Sequence, residues 1–326
     1  MNPIVTLTKC SDYNTKTVAH CLEKHFSLQG GLSKFIRHGD TVLLKPNFLT
    51  PGPRSAAVQT DPAIIIETAR LLKDFGAKPF VADSPAWSDV FACAKALELE
   101  EPLKKLGVPI KQLNKPKTYL IGTSDTKVGI STVALDADAI INLPKFKTHQ
   151  QLAATFAVKN MFGCVSGKRK AIMHFIKGNS SNEFCELLIN IFQFLNPVIT
   201  IIDAVTVMDG PGPIHGRARP LGWIIGGTDP IALEIICAML VDFEPTAIPI
   251  IETAKQLNFG CQDFEKIQIL GDEFPKNICT DFQPAKQIPI RFTLPRVCKS
   301  ICKQIWLITK ETIQKYHDYK SKKAKS

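Results

Sequence analysis

The chain of 326 residues lacks several signatures that would assign it a chemistry at once. Ten cysteines are scattered along it, yet no pair has Cys-x-x-Cys spacing. A ferredoxin-type run and a cysteine zinc site are therefore not expected, and an intrinsic iron–sulfur cluster is not expected from this spacing. Nothing follows the Gly-x-Gly-x-x-Gly pattern after a strand. The Gly163–Lys168 run has the wrong spacing for a phosphate-binding P-loop and no following Ser or Thr. No stretch of 18 uncharged apolar residues occurs, so no membrane-spanning helix is expected. The N-terminus has no charged, apolar and small-residue succession of the kind a signal segment needs. Reduced thiols and a cytoplasmic location follow as expectations.

A local absence is more informative. Between Ala139 and Asn182 there is no Asp or Glu, while the same window holds Lys145, Lys147, Lys159, Lys168, Arg169, Lys170 and Lys177, with His149 and His174. The net charge of +10 is otherwise concentrated in a tail. Residues 289–326 contain ten Lys/Arg and two acids, which leaves the other 288 residues at 30 minus 28, or +2. A near-neutral body disfavours nucleic acid, which calls for a basic face on a folded domain.

Short apolar runs alternate with helical patterns through the body. Thr41–Leu44, Pro79–Ala82, Ala139–Leu143 and Val198–Ile202 read as buried strands. Thr60-Asp61-Pro62 caps a helix whose apolar stripe ends at Gly76. This alternation predicts an α/β fold, a largely parallel sheet with helices on both faces. Residues 1–286 form the expected body, with two lobes that could meet near 136–180. Residues 287–326 form a basic amphipathic tail, with Val297, Ile301, Ile305 and Ile308 at helical spacing. Segment 294–313 is the candidate for contact with a membrane surface or a partner protein.

Strand ends deliver polar groups into loops: Lys45 and Asn47; Asp83 and Ser84; Lys145, Lys147 and His149; Asp203 and Asp209. In an open parallel sheet such ends share one edge, where ligands bind. Thr148 and Gln151 have capping-box spacing and predict a helix starting there, with Gln151, Thr155 and Lys159 on one polar stripe. Lys45, Asn47, Lys145, Lys147, Lys159, Asn160 and His174 are the candidate anion- or cofactor-binding residues. His149 is the candidate acid/base, with Asp203 as its catalytic partner. Asp83 and Asp209 are the candidate ligands of a divalent metal, and Cys164 is expected to be a small buried residue.

The order of motifs resembles an uncharacterised family, domain of unknown function 362. The matching pieces are KPN at Lys45–Asn47, TDP at Thr60–Pro62, GAKPFVADSP at Gly76–Pro85 and DADAIINLPKFKTH at Asp136–His149. They continue with VKNMFG at Val158–Gly163, His174, IIDAVTVMDGPGP at Ile201–Pro213 and GGTDPIALE at Gly226–Glu234. The resemblance implies an α/β fold and a pocket around these residues, and it supplies no reaction. Members often carry a ferredoxin-type module, which is absent here, so any redox role would need a separate partner protein. Two functions remain open. One is an enzyme-like protein that binds an anionic small molecule or cofactor, phosphate or carboxylate, in a Lys/His-rich cleft. The other is a non-catalytic cofactor-binding or iron–sulfur-associated protein that docks a partner or membrane through its tail.

Overall fold

The computed structural model describes residues 2–86, 88–122, 126–166, 169–275 and 279–291, together with Cys302. The expected amphipathic helix at 294–313 lies outside the described residues, Cys302 apart. The first half runs β1 (Ile4–Lys9), α1 (Thr15–Leu28), β2 (Thr41–Pro46), α2 (Pro62–Asp74), β3 (Lys78–Asp83), α3 (Val90–Ala96), α4 (Glu100–Lys105) and β4 (Ile110–Gln112). A hairpin of β5 (Pro116–Ile121) and β6 (Thr126–Ser131) follows, then α5 (Thr132–Leu135), β7 (Ala139–Leu143), β8 (Lys145–His149) and β9 (Ala153–Thr155). Next come the short α6 (Ala157–Asn160), α7 (Arg169–Lys177), α8 (Ser181–Leu195), β10 (Ile199–Asp209) and β11 (Arg217–Gly227). The body closes with α9 (Pro230–Leu240), α10 (Pro249–Gln256) and β12 (Gln268–Gly271).

The large sheet has the order β12-β1-β11-β10-β7-β2-β3-β4. Its pairings are mostly parallel; β11 is antiparallel to both neighbours, and β9 to β8. Residue alternation along β2 splits the core between the two faces. Val42 and Leu44 pack with Val18, Leu22, Ile64 and Leu103 under α1–α4, whereas Leu43 packs with Leu188, Ile235 and Ala254 under α8–α10. Helix starts follow the local chemistry. Asp61 and Asp229 each accept first-turn amides and each precede a proline, which has no amide to lose.

One feature of the sheet creates the cleft. β10 is eleven residues long, more than its neighbour β7 can cover. The chain bends at Pro144 and continues as β8 along the same flank, with Asp203 opposite Lys145 and Met208 opposite Lys147. β2 stays with β7 only as far as Leu143. Beyond that point β8 diverges from β2 and β3, and a crevice opens outside their carboxyl ends.

The expected helix beginning at Thr148 is not formed. Residues 145–149 are strand, a tight hairpin leads into β9, and helix starts only at Ala157. The Thr148 hydroxyl donates to the carbonyls of Met208 and Gly210 and caps nothing. Pairing with the free flank of β10 outweighs a local capping preference worth about 1 kcal/mol.

Candidate functional site

Because β8 is a strand, Lys145, Lys147 and His149 point to one face and Phe146 and Thr148 to the other. Phe146 anchors the strand, its ring 4.5 Å from Phe156 and 6.0 Å from Phe282. The three basic side chains line a cavity of about 330 Å³, with Lys45 and Asn47 at the end of β2, Asp83 and Ser84 at the end of β3, Lys159 and Asn160 on α6, and Lys170 and His174 on α7. Gln151 and Thr155 also line it. Their grouping with Lys159 is spatial, although no helical stripe produces it. Phe48, Phe156, Phe162 and Ile288 supply an apolar wall.

The five lysines are not equivalent. Lys45 is fully buried, 2.8 Å from Asp83, and also donates to the carbonyl of Pro46. Lys145 donates to Asp203 at 2.8 Å and to the Tyr13 hydroxyl at 2.7 Å. That hydroxyl in turn donates to the other Asp203 oxygen at 2.7 Å. Lys147 has only neutral acceptors, the Asn47 amide oxygen at 2.6 Å and the Val58 carbonyl at 2.7 Å. Lys170 donates to the Ser84 carbonyl. Lys159 has no hydrogen-bond or ion-pair partner among the described residues. Burial, then the neighbouring ammonium of Lys145, lowers Lys147 to about 7. Burial lowers Lys170 to about 8. Burial, then Lys147, holds Lys159 well below the usual lysine range.

His149 is kept neutral, first by burial and then by Lys159 and Lys147. The Gln151 amide donates to its Nδ1 at 3.0 Å, which places the ring proton on Nε2. Asp203, the expected partner of His149, instead accepts from Tyr13, Lys145 and the Asp61 amide and does not line the cavity. His149 is therefore oriented by backbone. Asp83 and Asp209 are not brought together as a metal site. Asp83 is committed to Lys45 and to the amides of Phe48 and Ser84. Asp209 lies outside the cavity lining with Arg217 and Arg219 on its carboxylate; these outweigh burial and hold its carboxyl below the usual range. Among the described residues no group of three or more His, Cys, Asp or Glu could hold a metal ion.

Asn160 carries the scaffold. It donates to the Lys45 carbonyl at 3.0 Å and to the Asn142 amide oxygen at 2.8 Å, and it accepts from Asn47 at 3.1 Å. A directed relay thus runs from Lys147 through Asn47 and Asn160 to Asn142. Gly163 is required by close approach, since a Cβ there would lie 2.5 Å from the Lys45 ammonium and 2.6 Å from Asp83. His174 stacks on Phe184 at 4.3 Å and meets Phe162 edge-on. Cys164 is fully buried, and burial pushes its thiol up to about 12, so it is no ready thiolate.

Residues absent from the sequence-based candidate set also matter. Tyr13 completes the Lys145–Asp203 pair from a loop 190 positions before that aspartate. Lys170, one of the basic residues of the acid-free window, lies in the first turn of α7. Ile288 belongs to a segment laid over the cavity: its amide donates to Gln150, and Gln151 donates to the carbonyls of Pro289 and Ile290. The alternation in KFKTH was the available signal that β8 is a strand facing a site.

Fold and site together define an α/β protein with a lysine-lined pocket at the carboxyl edge of its sheet. Residues 42–239 match the family described as Domain of unknown function (DUF362), and the chain belongs to that family. It is 32% identical over 315 residues to the thylakoid-associated protein sll1697 of Synechocystis sp., covering 96% of this chain and 98% of that protein. Among solved structures it is similar to the lactate racemase apoprotein from Thermoanaerobacterium thermosaccharolyticum, with a TM-score of 0.46 and 14% identity over 74% of this chain. The match spans 58% of that structure's length. Among the described residues, no helix is long and apolar enough to cross a membrane.

Proposed function

We propose that this protein binds an anionic small molecule, a phosphate or carboxylate, in the β8 cavity, with Lys147 and Lys159 as its principal seat. The observation that carries the reading is an imbalance of charge. Lys45 and Lys145 are already neutralised by Asp83 and Asp203. Lys147 and Lys159 face the same space with no carboxylate partner among the described residues. Desolvating an ammonium without a counterion costs several kcal/mol, and a bound anion removes that cost. The His149 Nε2–H adds a neutral donor that can polarise a ligand oxygen, and the aromatic wall suits an apolar body attached to the anion. Lys45, Asn47, Lys145, Asn160 and His174 then shape and position the seat. The test is negative-ion mass spectrometry of small molecules released from the purified full chain, beside a Lys147→Met/Lys159→Met variant. The reading expects an anion near stoichiometric with wild type and lost from the variant. Equal recovery from both proteins, or none from either, would overturn it.

A second reading, peripheral contact with a membrane, is favoured by the name of the Synechocystis relative and by the +8 charge of residues 289–326. Sedimentation with vesicles containing anionic lipid should retain the full chain and release one ending at Arg291. Equal sedimentation of the two would remove the tail from the account.

A further inference from the structure

Resting on the anion-binding reading, we propose that Lys159 is a nucleophilic amine that forms an imine with an anionic aldehyde or ketone, its acid group seated by Lys147. Four of the five cavity lysines spend their protons on acceptors of the fold: Lys45 on Asp83, Lys145 on Asp203 and Tyr13, Lys147 on Asn47 and Val58, and Lys170 on Ser84. Lys159 spends none among the described residues, so none of its N–H bonds is committed to holding the fold. Its backbone is nevertheless held on both sides. The Val158 amide donates to the buried Glu234 carboxyl at 3.0 Å, and Asn160 is locked by its three side-chain bonds. A backbone held on both sides keeps Lys159 at the cavity wall, and an amine placed there with no bond of its own is what a positioned nucleophile requires.

The surroundings supply the remaining parts. Burial and the Lys147 ammonium both favour the neutral, reactive form of the amine. His149 presents Nε2–H beside it, a donor for the carbonyl oxygen as negative charge develops there. The step balances without oxidant or reductant. Nζ adds to the carbonyl carbon, the C=O electron pair moves to oxygen, and the resulting carbinolamine loses that oxygen as water. The C–N bond forms, the C–O bond breaks, and the two amine protons leave on the water.

Glyoxylate with cyanoborohydride is the probe, because reduction converts the imine to a stable secondary amine that peptide mass mapping can locate. In the full chain, Lys159 should be modified at least about tenfold faster than any surface lysine. The label should vanish in Lys159→Arg, which keeps a long basic side chain and cannot form an imine. The melting temperature of that variant confirms that it is folded. Orthophosphate should slow the modification and raise the melting temperature of wild type. A label spread evenly over surface lysines, or undiminished in Lys159→Arg, would overturn the proposal. If orthophosphate stabilises wild type yet Lys159 is not selectively modified, the imine falls and the anion site stands. If neither effect is seen, both fall.

Discussion

At the scale of single residues, Lys45 and Asp83 make the sharpest commitment. Both are almost fully buried and lie 2.8 Å apart, and Gly163 closes over them. Removing one partner leaves the other charge uncompensated in low dielectric. Asp83→Asn should therefore cost about 3–5 kcal/mol of unfolding free energy in denaturant titration. A loss under about 1 kcal/mol would show that the pair is solvated. Glu234 behaves differently. Burial raises its carboxyl to about 8, against a usual value of 4.5, so it is neutral in the fold at pH 7. The folded chain then holds a proton that the unfolded chain has released, and stability should fall as pH rises from 4.5 to 8. Glu234→Gln keeps a neutral acceptor for the Val158 amide and cannot ionise. Thermal melts should show its advantage over wild type growing across that window, to roughly 2–4 kcal/mol at pH 8. A constant difference would refute the assignment. At this scale the sequence was partly readable. Lys45, Lys145 and Lys147 line the cavity because strand ends share an edge, and Lys159 joins them from α6. Which lysines are already paired was not readable, since Lys145 meets Asp203 58 positions away.

At the scale of elements, β8 shows why local patterns mislead. Thr148 and Gln151 carry a helix-start pattern, and KFKTH carries a strand pattern of period two. The long β10, with its flank unfilled beyond Thr200, decides between them, and that vacancy is visible only once the sheet is assembled. The helix with a full stripe and cap, α2, was legible because its packing agrees with its propensity. α7 begins within a cluster of basic residues and was not assigned from the sequence. The segment 285–291 gives an element-scale expectation. It crosses the cavity, with Ile290 buried, Ile288 lining the wall and Gln151 bonded to two of its carbonyls. Gln151→Ala should raise hydrogen exchange at the Ile288 amide by about tenfold and leave β2 and β10 protected, by mass-spectrometric exchange. Unchanged exchange would mean that the strap is held elsewhere.

At the scale of the whole molecule, the body is near neutral in sequence charge while its central cleft gathers five lysines, two of them paired with carboxylates and three with lowered proton affinity, which separates a site from a charged surface. The depressed lysines set how that site responds to pH. A bound anion raises the value for Lys147 from about 7, so binding near neutral pH takes up protons. Affinity should decline once pH exceeds 7, by up to about tenfold per unit. The most direct measurement is calorimetric titration of the full chain with orthophosphate at pH 6.5 and 8.5, beside Lys147→Met/Lys159→Met. Saturable one-site binding with proton uptake, weaker at the higher pH and lost in the double variant, is the predicted result. Binding that is unaffected by removing both ammonium groups, or absent in wild type at both pH values, would contradict the account.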